Sequence, residues 1–258
     1  MIKRIKLIYA HRYTLKDMVI KELKAKYSAS ILGISWAVVN PLLIMLVISF
    51  VFTAVFKVEM KNFPLFILSG ILPWMFFSTA ISESAFSIIN QAQMLRQFNI
   101  PKEILPFSSI LANFLNFLLG WIIILPVFLV FKPKAIILLP ALMLIVIMHL
   151  IFTSTLGLLL SILNVLFRDI GHLLGVILMF WLWVTPIFYS IDMIPLFFRK
   201  IYALNPMTCY IISYRNILFE GVMPKFYTFI QMSLWAIVSL FLGGFIFAKL
   251  EPNIVKKI

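Results

Sequence analysis

Residues that carry most chemistry are scarce in this sequence. Its 258 residues include one cysteine, Cys209, and three histidines. No G-x-x-x-x-G-K-[ST], no His-Glu-x-x-His and no paired acidic motif occurs. A lone thiol excludes an internal disulfide, and with no Cys or His clustered near it Cys209 is not read as part of a metal site. The missing P-loop excludes a nucleotide cradle of that type, so no cofactor of the chain's own is expected. Charge is scarce as well: 12% of residues are charged against 63% hydrophobic, and mean hydropathy is +1.09. Too little polar surface is left to clothe a soluble globule, and the chain reads as an integral membrane protein. The pattern of a cleaved secretory signal is also missing, because the first long apolar run begins near Ile31, after a basic and interrupted segment. All 258 residues are therefore taken as one membrane domain: an interface segment over 1–30, a helical body over 31–250 and a tail over 251–258.

What is present in abundance is uncharged length. A helix rises 1.5 Å per residue and must cross roughly 30 Å of hydrocarbon, which takes about 20 residues. Runs free of Asp, Glu, Lys and Arg cover 27–56, 62–82, 104–131, 135–167, 170–191 and 226–248, which predicts an all-α fold with six spans. The stretch 201–214 is short for a span, and its Asn205-Pro206 reads as a helix break, so a re-entrant or interfacial hairpin is expected between spans 5 and 6.

Orientation follows from the cations. The side holding the N-terminal segment, Arg96, Lys102, Arg168, Lys249, Lys256 and Lys257 carries the larger share of the 22 Lys and Arg. Lys57, Lys61, Lys132, Lys134, Arg199, Lys200, Arg215 and Lys225 fall on the other side. The positive-inside rule then puts both termini in the cytoplasm. It also puts Arg168 and Asp169 in a tight cytoplasmic turn between spans 4 and 5, where water can reach charges that would each cost about 2.5 to 3.5 kcal/mol in the bilayer centre.

In "YTLKDMVIKELKAKY", Leu15, Met18, Val19 and Leu23 share one helical face, with Lys16, Lys21, Glu22, Lys24 and Lys26 elsewhere and Thr14 and Asp17 at capping-box spacing. This predicts an amphipathic helix on the inner leaflet. Two roles stand side by side: a topogenic anchor held by anionic lipid, or a surface on which Arg12, Lys21, Lys24 and Lys26 also meet an anionic substrate headgroup. His149, alone within span 4, reads first as a packing residue and second as a pathway residue; His172 reads as interfacial. Glu83, followed by Ser84, Ser87, Asn90 and Gln91, is either a functional carboxylate or the place where span 2 leaves the hydrocarbon.

The segment "KYSASILGISWAVVNPLLIMLVISFVF" resembles the start of the first span in permeases of polysaccharide-exporting ABC transporters, the type-2 exporters of O-antigen, capsule and teichoic acid. The stretch from Phe63 to Gly120, then "FRDIGH" and "NPMTCYIISYRNILFEG", are similar to further signatures of that family in the same order. The resemblance runs over about residues 21–250. It implies a homodimer of six-span permeases docked on two copies of a separate ATPase subunit, which binds ATP and magnesium in place of the missing P-loop. It implies a bacterial cytoplasmic membrane, a lipid-linked polysaccharide as substrate, with O-antigen first among the polymers, and no nucleic-acid partner. It also implies that Met94, Leu95, Arg96, Phe98 and Ile100 form the element that couples to the ATPase, in a short helix bracketed by Pro101 and Pro106, and that 192–225 holds paired gate helices. The turn at Arg168 and Asp169 is either a second cytoplasmic support or a brace between spans 4 and 5.

Aromatic residues make up 16% of the chain. Trp74, Phe76, Phe77, Trp181, Trp183 and Tyr189 cluster near spans 2 and 5, where flat faces offer repeated weak stacking to sugar rings; a lipid-facing aromatic belt is the competing reading. Pro73, Pro126 and Pro186 lie within expected spans and would loosen them. A type-2 exporter of lipid or drug is the alternative function. An enzyme acting on a lipid-linked sugar ranks last, because it would need clustered carboxylates or metal ligands at one membrane face.

Overall fold

The computed structural model describes residues 2–28, 30–98 and 100–254, and side chains from residue 6 to residue 251 within those limits. Lys256 and Lys257 of the expected tail, residue Asn99, and the side chains of Lys3 and Arg4 lie outside the described residues. Regular structure among the described residues is helical throughout. In chain order the helices are α1 (Ile2–Ala10), α2 (Arg12–Tyr27), α3 (Trp36–Phe50), α4 (Phe63–Asn90), α5 (Ala92–Gln97), α6 (Ile104–Phe131), α7 (Leu139–Leu166), α8 (Asp169–Trp183), α9 (Leu196–Leu204), α10 (Pro206–Arg215) and α11 (Phe226–Ile254).

Among the described residues, five segments are long and apolar enough to cross a membrane: Gly33–Val55, which contains α3, Phe63–Asn90, Ile104–Phe131, Pro133–Leu166 and Phe226–Glu251. The fifth expected span, 170–191, differs. α8 has 15 residues and stops at Trp183, so it reaches only about 22 Å. Thr185-Pro186 explains the stop, since proline has no amide hydrogen to give and pushes the preceding residue out of the helical region. Pro73 and Pro126 sit inside unbroken helices. At Pro186 other side chains capture the carbonyls that the break sets free.

α4 is the hub and packs on α3, α6, α7, α8 and α10, while α7 pairs with α11 and α2 lies on α6. Small residues permit the close approaches, as expected where helices lack a hydrophobic drive to associate. A Cβ at Gly157 of α7 would lie 2.5 Å from Ser84 Oγ and 2.8 Å from Ile110 Cδ1.

α2 begins at Arg12 with no side-chain cap, so Thr14 lies inside the helix and the expected capping box does not form. Met18 and Val19 are buried, and Lys16, Lys21 and Lys24 are exposed, as an amphipathic helix requires. Glu22 and Lys26 differ from expectation: both turn toward the bundle, because their spacing from Leu15 and Val19 continues the apolar stripe by whole turns.

Candidate functional site

One face of α4 remains open at the end of the bundle that carries α2 and α5. Ser78, Thr79, Ser82, Glu83 and Asn90 are exposed or half-buried along it, with Phe86 exposed among them, on a helix whose first half is almost wholly buried. Such a polar stripe is ill suited to hydrocarbon and suits a wet groove. Three side chains close a ring across it. Lys26 Nζ lies 2.9 Å from Glu83 Oε1 and donates to Asn113 Oδ1 at 2.5 Å, while Asn113 Nδ2 donates to Glu83 Oε2 at 2.6 Å. One residue on, Tyr27 donates from its hydroxyl to Asn116 of α6. Burial, and next the Glu83 carboxylate, push the Tyr27 phenol above its ordinary value, so it stays a donor at neutral pH. Gln91 Nε2 donates to Glu22 Oε1 at 2.8 Å.

Lys26 lines two cavities. One, of about 250 Å³, is walled by Tyr27, Trp36, Asn40, Thr79, Asn113 and Asn116. The other, of about 600 Å³, is walled by Glu22, Ser82, Glu83, Phe86 and Asn90. A third cavity, about 650 Å³ and almost wholly apolar, lies behind Tyr27 and Ala37 against Leu119, Ile122 and Ile123, with Lys24 among its lining residues. Of the cations proposed for a headgroup, Lys26 and Lys24 thus flank cavities. Lys21 is exposed, and Arg12 stacks on Tyr9 and Tyr13 at 4.9 and 4.6 Å.

The six aromatic candidates divide. Phe76 and Phe77 are enclosed within the protomer, where Phe76 stacks on Phe117 at 5.1 Å and Phe77 on Phe152 at 5.8 Å. Trp74 is buried beside Trp181, with ring centroids 6.5 Å apart. Trp181 is half-buried and donates from Nε1 to Asn205 Oδ1 at 2.7 Å. Trp183 is 54% exposed. Tyr189 donates to the Trp183 carbonyl at 2.6 Å and meets the Tyr202 hydroxyl at 2.9 Å. His149 is fully buried among these rings, 4.9 Å from Tyr210 by centroid, as a packing residue would be.

Asn205 and Arg215 explain the broken end of α8. Asn205 accepts from Met207 N to cap α10 and donates to the Val184 carbonyl at 3.2 Å and to Thr185 Oγ1 at 3.0 Å. Arg215 is buried, and its guanidinium donates to the carbonyls of Pro186 at 2.8 Å and Ile187 at 2.9 Å while lying over the Phe66 ring at 3.6 Å. Sequence reading took Arg215 for a loop cation and missed this role; a lone Arg at the end of a buried, uncharged helix was the available signal. α10 enters the bundle, with Tyr210 and Tyr214 fully buried, whereas most of α9 is exposed. Two short helices therefore stand where the hairpin was expected, and only the second packs inside the bundle.

Around α5 the helix falls before Pro101 rather than between Pro101 and Pro106. Met94, Leu95 and Ile100 are half-buried against Met18, Ile88, Ile104 and Phe247, and Arg96 and Phe98 are exposed, Phe98 by 56%. Arg168 and Asp169 are both exposed in the two-residue turn before α8 and at its first position. No ion pair joins them among the described residues; Asn164 braces that turn instead, accepting from Gly171 N at 2.9 Å and donating to the Ala85 carbonyl at 3.0 Å.

Comparison with known proteins agrees with this geometry. The pattern of the ABC-2 type transporter family matches residues 13–219. The O-antigen export system permease protein RfbA of Myxococcus xanthus is 31% identical over 260 residues, covering 100% of both chains. An O-antigen export system permease protein RfbA of Klebsiella pneumoniae is 32% identical over 234 residues, 90% of this chain and 89% of the relative. On the breadth of these matches and its all-helical, multi-span architecture, the chain belongs to the ABC-2 type transporter family.

Proposed function

We propose that this protein is the membrane permease of an ABC exporter that moves a lipid-linked polysaccharide, of the O-antigen class, across the cytoplasmic membrane of a bacterium. The observation that carries this reading is the open face of α4, where the hydroxyls of Ser78, Thr79 and Ser82 and the amide of Asn90 stand with Glu83 and Phe86 along a groove. The likeness to O-antigen permeases along the whole chain favours a sugar polymer over a lipid or drug. Polymer slides past weak, repeated contacts; Trp183 and Tyr189, at the rim of the aromatic cluster, are placed to supply them, with Trp74, Phe76, Phe77 and Trp181 as the packed backing.

The working unit is a homodimer with two copies of an ATPase subunit that supplies the site for ATP and magnesium. α8 buries only Leu174 and Leu178 and exposes Val176, Ile177, Met179 and Phe180. A helix too short for the bilayer, apolar nearly all round, is better covered by a second copy than by lipid alone. Phe98 and Arg96, turned away from the core, make the ATPase contact, and Arg168 and Asp169 form a second exposed support on the same face. Six crossings with both termini inside complete the proposal, α8 and the segment after it making the fifth. Two measurements test the reading. In a strain deleted for its own permease, the chain with its ATPase should restore surface polysaccharide; no polymer at normal membrane levels of both subunits overturns the function. Reporter fusions at Lys61, Lys134 and Pro224 should report outside, and at Gln97 and Asp169 inside; a fusion at Lys134 reporting cytoplasm overturns the topology.

A further inference from the structure

Lys26 is a cation held in a ring by one carboxylate and one amide, at the meeting point of a cavity of about 250 Å³, whose wall mixes amides and hydroxyls with apolar side chains, and a groove of about 600 Å³. Its side chain is 23% exposed and that of Glu83 35%, so water reaches the pair. In that setting an ion pair is weak enough to exchange partners. Glu83 has somewhere to go: the larger groove lies on its side of the ring. A phosphate taking its place on Lys26 would inherit the amide of Asn113 that Glu83 gives up, beside a cavity wall on which Thr79 holds the Met75 carbonyl and Trp36 the Ser30 hydroxyl. The adjoining apolar cavity of about 650 Å³ shares Tyr27 and Ala37 with that wall and has Lys24 on its lining, so a hydrocarbon chain and its charged head can sit side by side. Glu22 and Glu83 make the larger groove unfavourable to an anion, which leaves approach from the lipid side of α2.

We propose that the Lys26–Glu83–Asn113 ring is an exchangeable gate at the mouth of the pathway, in which Glu83 holds the place on Lys26 that the diphosphate of the lipid-linked substrate takes on arrival. The chain of that lipid lies in the apolar cavity, and its first sugars occupy the smaller one, among amides and the rings of Trp36 and Phe117. A diphosphate fits better than a phospholipid diester, because its two charges against one compete better with the Glu83 carboxylate for Lys26. This inference rests on the export reading above, and the experiment separates the two.

The probe is farnesyl diphosphate, its binding measured on the full-length permease in phosphatidylcholine nanodiscs, with phosphatidylglycerol as competitor. Glu83→Gln leaves Lys26 without its anion and should bind the probe about tenfold more tightly. Lys26→Gln should lose binding, and in the double variant the gain from Glu83→Gln should vanish. A ring that only tethers α2 gives the opposite sign: Glu83→Gln binds the probe no better than the native chain, and that result overturns the gate. Should Glu83→Gln not fold, Glu83→Asp replaces it, with a shorter reach to Lys26 and the same direction expected; unchanged or weaker binding there is equally adverse. Competition by phosphatidylglycerol at equal dose assigns the site to bulk lipid and overturns the proposed occupant. Surface polymer is measured in parallel: restored export without probe binding overturns the gate and leaves the export reading standing, whereas absent export removes both.

Discussion

Lys26 and Arg215 each tie one helix to oxygen atoms on another element, at opposite ends of the bundle, and their surroundings make them different devices. Arg215 is 5% exposed, and its guanidinium serves two carbonyls that the break after α8 would otherwise leave unpartnered in an apolar interior. Lys26 and Glu83 are each part-exposed, by 23% and 35%, and stand beside two cavities. A buried cation cannot leave without exposing unpaired groups to an apolar interior, whereas a wet one trades one partner for another at little cost. The first is a lock on the break after α8; the second is suited to open.

The largest effect expected from breaking this contrast is at the lock. Arg215→Met strands the carbonyls of Pro186 and Ile187 and should cost about 3 kcal/mol, seen as a lower unfolding temperature in detergent and less permease in the membrane. Native-like melting would show that the 184–190 segment holds itself. A milder strain on the same lock comes from Gly70→Ala. The added Cβ would lie 3.2 Å from Arg215 Nη2 and 3.3 Å from Ile187 Cγ2, an overpacking of about 1 kcal/mol. A cysteine pair across 187 and 70 is not needed to see it; melting alone suffices.

At the wet end the same kind of change should barely register in stability. Lys26→Gln is expected to cost less than about 1 kcal/mol while export per membrane-inserted molecule falls. A melting shift as large as that of Arg215→Met would erase the distinction between lock and clasp. The smallest stability effects belong to side chains that face outward. Phe98→Asp should leave melting unchanged and abolish copurification with the ATPase, because an unpaired carboxylate in an apolar contact is costly only once the partner arrives. Leu95→Asp, half-buried against the protein's own core, should instead weaken the permease itself. Trp183→Ala should lower surface polymer normalised to permease with no change in insertion; full normalised export would return Trp183 to the lipid-facing belt.

Much of this architecture was legible as pattern. Uncharged runs located α3, α4, α6, α7 and α11, since lipid demands about 20 apolar residues per crossing, and the 3.6-residue stripe located α2. The fifth run misled by length: 170–191 is uncharged throughout, yet Pro186 and the capture of its neighbours' carbonyls by Asn205 and Arg215 end the helix at Trp183. Among the aromatic candidates, hydrophobicity could not separate Phe77, enclosed in the core, from Trp183, half of it bare, because both are apolar residues on spans. The coupling stretch divided in the same way, with Leu95 turned in and Phe98 turned out.

The sequence by itself determined that the chain lives in a membrane, that it is helical, roughly where its long helices run and that it lacks a P-loop, because composition and run length act locally and need no partner. Tertiary structure alone decided which polar groups meet. Glu22 and Lys26 lie far along the chain from Gln91, Glu83 and Asn113, and Arg215 from Pro186, so nothing in their neighbours' identity signals the pairing. Only the packing of α2 on α6 and of α10 on α4 brings them within reach, and the amount of water left around each pair then sets whether it locks or exchanges.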